Sequence, residues 1–242
     1  KMVAFMHVSN TLGTINDAKR LTRMAKAVGA TVLIDGSQAL PHMMVDVVEL
    51  DCDFYVFSGH KAYGPTGIGV LYGRKSILEA MNPWRGGGEM IDVVSLENGT
   101  TYAGLPHKFE AGTPHISGAV ALGVALQWLT GVGLKNVMEH ETVLSAQARH
   151  QLGKIDGMRF IGSAPLTSGA VSFIVEGVHP YDLGTLLDQQ GIAVRTGHHC
   201  TQPIMDHFDI PGTVRASFGV YNTLQEVDAL VQGVERALKM LR

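Results

Sequence analysis

Residues 54–67 of the chain read FYVFSGHKAYGPTG, an apolar run that leads into a lysine and a glycine-rich turn. The run at 54–57 predicts a buried β-strand, because consecutive apolar and aromatic residues suit a strand that lies within a core. Lys61 follows closely, so its amine is expected at the mouth of that core. Ser58, His60 and the nearby glycines suit a site at which the backbone approaches an anion.

Asp35 ends a second apolar run, TVLI at 31–34. An aspartate and a lysine at the ends of two buried strands are what pyridoxal phosphate requires, one for the ring nitrogen and one for the covalent bond to the cofactor. Gln38 is placed to donate a hydrogen bond to the phenolic oxygen of the ring. Taken alone, Asp35 better suits a structural role as the cap of the turn at 36–38, and both interpretations stay open.

The composition excludes several classes of protein. Hydrophobic residues make up 45% of the 242 and charged residues 17%, so the chain can bury a core and is not disordered. A net charge of −3 without a basic run offers nucleic acid no surface. The apolar stretch at 119–129 is too short to span a bilayer. Two cysteines do not indicate a disulfide framework, and a cytoplasmic location is therefore expected.

Apolar runs alternate with amphipathic segments along the chain, which predicts an α/β fold. The runs are nearly continuous, which favours a mainly parallel sheet covered on both faces. We predict strands at 2–8, 31–35, 54–58, 67–72, 169–175, 192–196 and 213–218, and helices at 16–28, 116–130, 134–153, 180–190 and 223–241.

Several local signals refine this pattern. Asn16 and Gly29 suit the two ends of the first helix. Its apolar face is predicted to comprise Ala18, Leu21, Met24, Ala25 and Val28.

Two further features concern the middle and the end of the chain. Thr223 and Glu226 form a capping box for the last helix. Residues 83–114, which are rich in glycine and polar side chains, predict a long functional loop.

Cys200 lies in the sequence RTGHHC at 195–200. Cationic neighbours such as Arg195 favour the thiolate, which is the nucleophilic form of cysteine. A metal site is disfavoured, because two adjacent histidines do not readily ligate one ion and no second Cys/His pair has zinc spacing. Cys52 lies between two carboxylates, which disfavour a thiolate, and is interpreted as structural.

Arg215 lies inside the apolar strand at 214–218. Its planar guanidinium suits bidentate capture of a substrate carboxylate, and it suits a structural ion pair equally well. Asn10, at the end of the first strand, is placed to contact the cofactor or the substrate, or to serve as a simple turn residue. The residues alone do not separate these alternatives.

Together the motifs resemble the cysteine desulfurases of the class V aminotransferase superfamily, and more closely their second group, which serves sulfur mobilisation and includes selenocysteine lyase-like enzymes. The resemblance implies a pyridoxal-phosphate-dependent transferase of fold type I, with part of the large domain at 1–133 and a small α/β domain at 134–242. The matching stretches are HVSN at 7–10, DGSQA at 35–39, DFYVFSGHK at 53–61, YGPTGIG at 63–69, FEAGTP at 109–114, RTGHHC at 195–200 and RASF at 215–218.

The resemblance also implies a role for each site residue. Lys61 carries the cofactor and moves protons, while Cys200 attacks the sulfur of L-cysteine and becomes a persulfide as L-alanine leaves. The persulfide sulfur passes to an acceptor protein for iron–sulfur cluster assembly. The remaining roles are Asp35 on the pyridine nitrogen, Gln38 and Asn10 near the phenolic oxygen, Ser58 and His60 on the phosphate, Thr113 on the phosphate of the partner subunit in a homodimer, and Arg215 with Arg195 on the substrate carboxylate.

The chain departs from the family pattern in one large respect. The family carries a long segment upstream of the position that matches residue 1, so an N-terminal part is expected to be absent here. Two other functions therefore stay as alternatives. One is a different class V enzyme, an aminotransferase or a lyase for L-selenocysteine, and the other is a non-catalytic binding module.

Overall fold

The computed structural model describes all residues from Lys1 to Arg242 and groups them into two compact units. The predicted domain bounds, 1–133 and 134–242, stay a prediction. The compact units are defined by contacts within the chain, and each of them combines several separate segments. The first unit comprises Lys1–Phe5, Ala18–Ser37 and Asp46–Gly131, and the second comprises Met6–Asp17, Gln38–Val45 and Val132–Arg242.

The secondary structure alternates between strands and helices for most of the chain, which confirms the predicted α/β class. The strands are β1 Met2–Met6, β2 Thr31–Asp35, β3 Phe54–Ser58, β4 Gly69–Gly73, β5 Ile91–Ser95, β6 Gly99–Tyr102, β7 Met158–Phe160, β8 Ala170–Val175, β9 Arg195–Gly197 and β10 Thr213–Ser217. The helices are α1 Ala18–Ala27, α2 Val47–Leu50, α3 Lys75–Ala80, α4 Ile116–Val132, α5 Leu134–Leu152, α6 Pro180–Asp188, α7 Gln202–Phe208 and α8 Leu224–Leu241.

The sheet of the first unit has the order β1-β2-β3-β4. Strands β2 and β3 run parallel, but β4 runs antiparallel to β3, so the sheet is mixed rather than mainly parallel. Burial is concentrated in the two central strands. Most of β1 and β4 is exposed, which corrects the expectation that every apolar run is covered on both faces.

Helix α1 buries only part of the predicted face, since Ala18 and Ala25 are buried as predicted and the larger residues are not. It begins at Ala18, and Asn16 donates from its amide to the carbonyl of Met6 instead of capping the helix. Gly29 ends the helical segment with a left-handed φ of 72°, as predicted. The buried residues are small, namely Ala18, Thr22 and Ala25, whereas Leu21, Met24 and Val28 are exposed.

The segment at 83–114 contains regular structure that the sequence analysis did not predict. Strands β5 and β6 pair in an antiparallel hairpin, with an irregular register between Ile91 and Val93. Their pattern is hard to read because most of their side chains are exposed, so apolar and polar residues do not alternate along them.

The second unit is built on a fully antiparallel sheet of order β7-β8-β10-β9. Helices α5, α6 and α8 pack on it and form a continuous apolar core that includes Leu144, Phe173 and Val234. The capping box of Thr223 and Glu226 at the start of α8 is confirmed. Strand β7 and helix α7 were not predicted, and β9 begins later than the predicted strand at 192–196.

No single helix is long and apolar enough to cross a membrane, and α4 with α5 meets the criteria of length and composition only when the two are taken together.

A buried carboxylate ties β2 to β3 in the first unit. Asp53 is 7% exposed, and its Oδ2 accepts a hydrogen bond of 2.8 Å from the backbone N–H of Val32. Its Oδ1 lies 3.4 Å from Nζ of Lys26 and 3.1 Å from Nε of Arg74. The same two cations also pair with the exposed Asp51.

We expect Asp53→Ala to lower the free energy of unfolding by about 3 kcal/mol, because it leaves two cations and a backbone N–H without their buried partner. Asp51→Ala is the matched control, since it removes an exposed carboxylate from the same cations and is expected to change stability little. Urea unfolding of the three proteins provides the comparison. Equal losses for the two variants would show that burial of Asp53 adds nothing.

Candidate functional site

Asp35 lies at the carboxyl end of β2, where the chain leaves the sheet. It is exposed, and in the parallel register it stands opposite Val56 of β3. One carboxylate oxygen accepts a hydrogen bond of 2.9 Å from the N–H of Ser37. The side chain therefore caps its own turn, and its second oxygen is left to accept from a further donor.

Lys61 lies on a short 3₁₀ turn, Gly59–Ala62, which follows β3 directly. The turn ends at Tyr63 in a left-handed conformation. A side chain at Gly64 would come within 3.0 Å of the carbonyl oxygen of Gly59, so the close return of the chain requires glycine there. Lys61 and His60 are both exposed at this turn.

The polar side chains at this turn form no hydrogen bonds with the rest of the chain. Ser58 is the residue before the turn, and its hydroxyl makes no capping hydrogen bond. The side chains of His60 and Lys61 make no hydrogen bond or ion pair within the chain. Because β2 and β3 are parallel neighbours, Asp35 and this turn follow strand ends on the same edge of the sheet.

The side chains present at this edge fit pyridoxal phosphate. A carboxylate with a spare oxygen suits a protonated pyridine nitrogen, and an unpaired lysine suits a covalent bond to the cofactor aldehyde. A hydroxyl and an imidazole next to a tight turn suit a phosphate. The chain offers no competing metal centre, since no cluster of three His, Cys, Asp or Glu side chains is arranged to hold an ion.

Thr113 lies elsewhere in the first unit, between the 3₁₀ turn His107–Phe109 and α4. It is exposed and follows Gly112, whose φ is 84° and whose N–H donates to the carbonyl of Gly88. It lines an open pocket together with His107 and Glu110. Its hydroxyl makes no hydrogen bond within the chain.

Cys200 lies in the second unit, in the loop between β9 and α7. The residue is exposed, and its φ of 63° is in the left-handed region. Nη2 of Arg195 donates to its sulfur across 3.6 Å. This contact places a hydrogen-bond donor with a positive charge beside the sulfur. Cys52 is fully buried instead, and burial raises the pKa of its thiol, as expected for a structural cysteine.

Arg215 is half-buried on β10 with no carboxylate among its hydrogen-bond partners. Its Nε donates to the hydroxyl of Ser217 across 3.0 Å, and its Nη1 donates to the carbonyl of Asn10. Burial and the charge of Arg195 both lower its pKa. This guanidinium is thus desolvated without a counter-charge, which suits an anion from outside the chain better than a structural ion pair.

Asn10 and Gln38 also belong to the second unit, and both are half-buried. Asn10 donates from its side chain to the carbonyl of His199 across 2.6 Å. It therefore connects Arg215 with the Cys200 loop. The sequence predicted a contact with cofactor or substrate, or a simple turn residue, and did not predict this connection. Gln38 makes no hydrogen bond within the chain, so its amide is available.

Two residues of this region were not predicted as functional, namely His199 of the loop and its partner Thr213 on β10. His199 was considered only as half of an adjacent histidine pair, yet it is 2% exposed and bonded to Thr213 of β10. No local pattern distinguishes it from His198, which is exposed. His199 is buried while the residues on either side of it are exposed, and this difference arises only because its side chain is bonded to β10.

Comparison with known proteins identifies the family. The model of the family "Aminotransferase class-V" matches residues 1–230. A "Probable cysteine desulfurase" of Halalkalibacterium halodurans is 52% identical over 236 residues, which are 98% of this chain and 58% of that protein. A "Cysteine desulfurase" of Serratia proteamaculans is 49% identical over 241 residues, 100% of this chain and 59% of that protein.

Solved structures agree with the sequence relatives. The cysteine desulfurase CsdA (S-sulfonic acid) from Escherichia coli superimposes with a TM-score of 0.96 at 43% identity, over 100% of this chain and 60% of that one. The apo cysteine desulfurase of Thermococcus onnurineus NA1 gives 0.95 at 41% identity, over 99% of this chain and 60% of that one.

The chain therefore spans about three fifths of the length of the relatives that it matches. The match includes both of its compact units, because the family model extends from the first strand into α8. On these grounds the chain belongs to the class V aminotransferase family, and the relatives to which it is similar are cysteine desulfurases.

Proposed function

We propose that the protein is a pyridoxal-phosphate-dependent cysteine desulfurase, which converts L-cysteine to L-alanine and leaves a persulfide on Cys200. One observation carries the proposal beyond the family. An exposed thiol lies 3.6 Å from a guanidinium in a loop with left-handed backbone, which is chemistry that a sulfur acceptor needs and a plain aminotransferase does not.

The residues of the first unit hold the cofactor in this proposal. Asp35 binds the pyridine nitrogen, Ser58 and His60 bind the phosphate, and Lys61 forms the covalent bond. Pyridoxal phosphate supplies an electron sink for the carbon next to the substrate amino group. The amine of Lys61 forms no hydrogen bond or ion pair within the chain, so it is available to hold and move the protons on that carbon.

The residues of the second unit bind the substrate and take its sulfur. The guanidinium of Arg215, with Arg195, binds the substrate carboxylate. The thiolate of Cys200 attacks the sulfur of cysteine, so a sulfur–sulfur bond forms while the carbon–sulfur bond breaks. The electron pair of the broken bond stays with carbon, which gains a proton and leaves as L-alanine.

The finer parts of the proposal concern partners and location. We infer that the protein acts as a homodimer in which the free, exposed hydroxyl of Thr113 reaches the phosphate bound by the partner. The persulfide is expected to pass to an acceptor protein, because Cys200 is exposed. Two free cysteines suit the reducing cytoplasm.

Lys61→Ala is expected to abolish covalent attachment of pyridoxal phosphate, since it removes the amine that forms the bond. The protein is incubated with the cofactor and reduced with borohydride, and the modified lysine is located by peptide mass spectrometry. Lys75→Ala, at an exposed lysine on α3, is the matched control and should retain the modification at Lys61. The assignment would be excluded if many lysines were modified, or if the cofactor were still covalently attached to Lys61→Ala after reduction.

Cys200→Ala is expected to reduce alanine formation from L-cysteine to background, because no other exposed thiol can accept the sulfur. The assay uses the whole protein produced by its natural gene, supplied with pyridoxal phosphate, and measures alanine together with the persulfide on tryptic peptides. Cys52→Ala is the control and should retain both products. Normal alanine release by Cys200→Ala would remove the nucleophile and leave another class V reaction as the function.

A further inference from the structure

His199 differs from both of its neighbours in the Cys200 loop. It is 2% exposed, whereas His198 and Cys200 are exposed. A histidine buried between two exposed residues is not part of an apolar run and must be held by specific partners. Those partners come from two distant parts of the second unit.

The side chain of His199 is bonded to β10. Its Nε2 lies 2.8 Å from Oγ1 and 3.3 Å from the carbonyl oxygen of Thr213, which is itself fully buried. A carbonyl oxygen only accepts hydrogen bonds, so Nε2 carries the proton and donates. The other nitrogen, Nδ1, is buried without a partner and presents a lone pair.

The imidazole is neutral in this arrangement. Burial, together with the nearby positive charge of Arg215, lowers the pKa of His199 from 6.5 to about 4. Protonation would place a second N–H on Nδ1, where no acceptor is available. A neutral imidazole maintains the same hydrogen bond throughout the pH range in which a thiol changes its charge.

The backbone of the loop needs such an anchor. His199 and Cys200 have φ values of 54° and 63°, and two consecutive residues other than glycine in the left-handed region are unfavourable. The carbonyl of His199 accepts from Asn10, and Thr201 bonds to Thr11 across 2.7 Å. His199 is thus held through both its side chain and its carbonyl, and both partners lie outside the loop.

We propose that His199 is a positioning residue whose hydrogen bond to Thr213 holds Cys200 in its left-handed conformation, with the sulfur next to Arg195. The inference rests on the proposed function, because it assigns His199 a part in presenting the sulfur-accepting thiol. It does not place His199 in contact with substrate or cofactor.

Two substitutions separate this role from a preference of the backbone alone. In His199→Gln the amide nitrogen reaches the position of Nε2 and retains the hydrogen bond to Thr213. In His199→Asn the side chain is too short to do so, although asparagine adopts left-handed backbone more readily than glutamine. A hydrogen-bond anchor therefore favours Gln, and a backbone preference favours Asn.

The measurement is the rate at which iodoacetamide alkylates Cys200 across a series of pH values, quantified by peptide mass spectrometry. We expect His199→Gln to follow the wild-type profile. We expect His199→Asn to react more slowly near neutral pH, by up to about tenfold, which is the population shift that loss of one hydrogen bond allows. The reason is that a loosened loop no longer keeps the thiolate beside Arg195.

Thr213→Val provides a second variant that leaves His199 in place. It removes the hydroxyl partner at nearly constant volume, so it should slow alkylation in the same direction as His199→Asn. Slow labelling of the buried Cys52 in every variant verifies that the fold is intact. Wild-type rates in His199→Asn, faster alkylation in Asn than in Gln, or equal losses in both would each overturn the proposal.

Acid unfolding provides a readout of the neutral imidazole. The pKa of His199 in the folded state, about 4, lies below its ordinary value of 6.5, so the unfolded chain binds a proton first as the pH falls. Stability that depends on His199 is therefore present above pH 6.5 and is lost between pH 6.5 and 4. His199→Gln should lose less stability over this range, and an unchanged loss would contradict a neutral, buried His199.

These measurements are independent of the enzymatic reaction. Alkylation requires neither pyridoxal phosphate nor L-cysteine, so it tests His199 even if the protein catalyses another reaction. Failure of the desulfurase proposal would instead be seen as alanine release that survives loss of Cys200. The two failures are thus distinguishable.

Discussion

The ion-paired carboxylate of Asp53 is the constraint on which the order of the first unit depends. Its oxygen and its own N–H both bond to the backbone of Val32, so one residue joins β2 to β3 twice. The flanking charges of Lys26 and Arg74 offset the cost of burying the carboxylate. The parallel register that follows places Asp35 opposite Val56, three residues before the turn that carries Lys61. The edge of the sheet at which a cofactor fits is set in this way.

In the second unit the half-buried cation Arg215 is bonded to uncharged acceptors, whereas the cations around Asp53 in the first unit are paired with carboxylates. The guanidinium of Arg215 is bonded to a hydroxyl and to the carbonyl of Asn10, and the amide of Asn10 is bonded to the carbonyl of His199. None of these partners neutralises the positive charge of Arg215. A desolvated cation next to an exposed thiol is thereby retained for an external anion, which is an arrangement suited to binding an amino acid by its carboxylate.

Prediction from sequence succeeded where burial and periodicity coincide. The bounds of β2 and β3 were predicted correctly, because both strands lie in the centre of the sheet and are apolar along their length. The capping box at Thr223 was predicted correctly because it is entirely local. The face of α1 was predicted only in part, since the helix packs through small residues such as Ala18 and Ala25 and leaves Met24 and Val28 exposed. Periodicity ranks side chains by hydrophobicity and contains no information on the space available to them.

The sequence by itself determined which reactive groups are present and next to which residues they lie. These groups are a lysine and an aspartate that follow apolar strands, and a cysteine beside arginine and histidine. These predictions required only strand periodicity and the known requirements of the chemistry. Tertiary structure decided what each group does in the folded chain. Asn10, His199 and Thr213 are not neighbours in sequence and act together only because β10 and the Asn10 segment both form hydrogen bonds to the Cys200 loop. Burial and hydrogen-bond partners are properties of contacts between distant segments, and no local pattern encodes them.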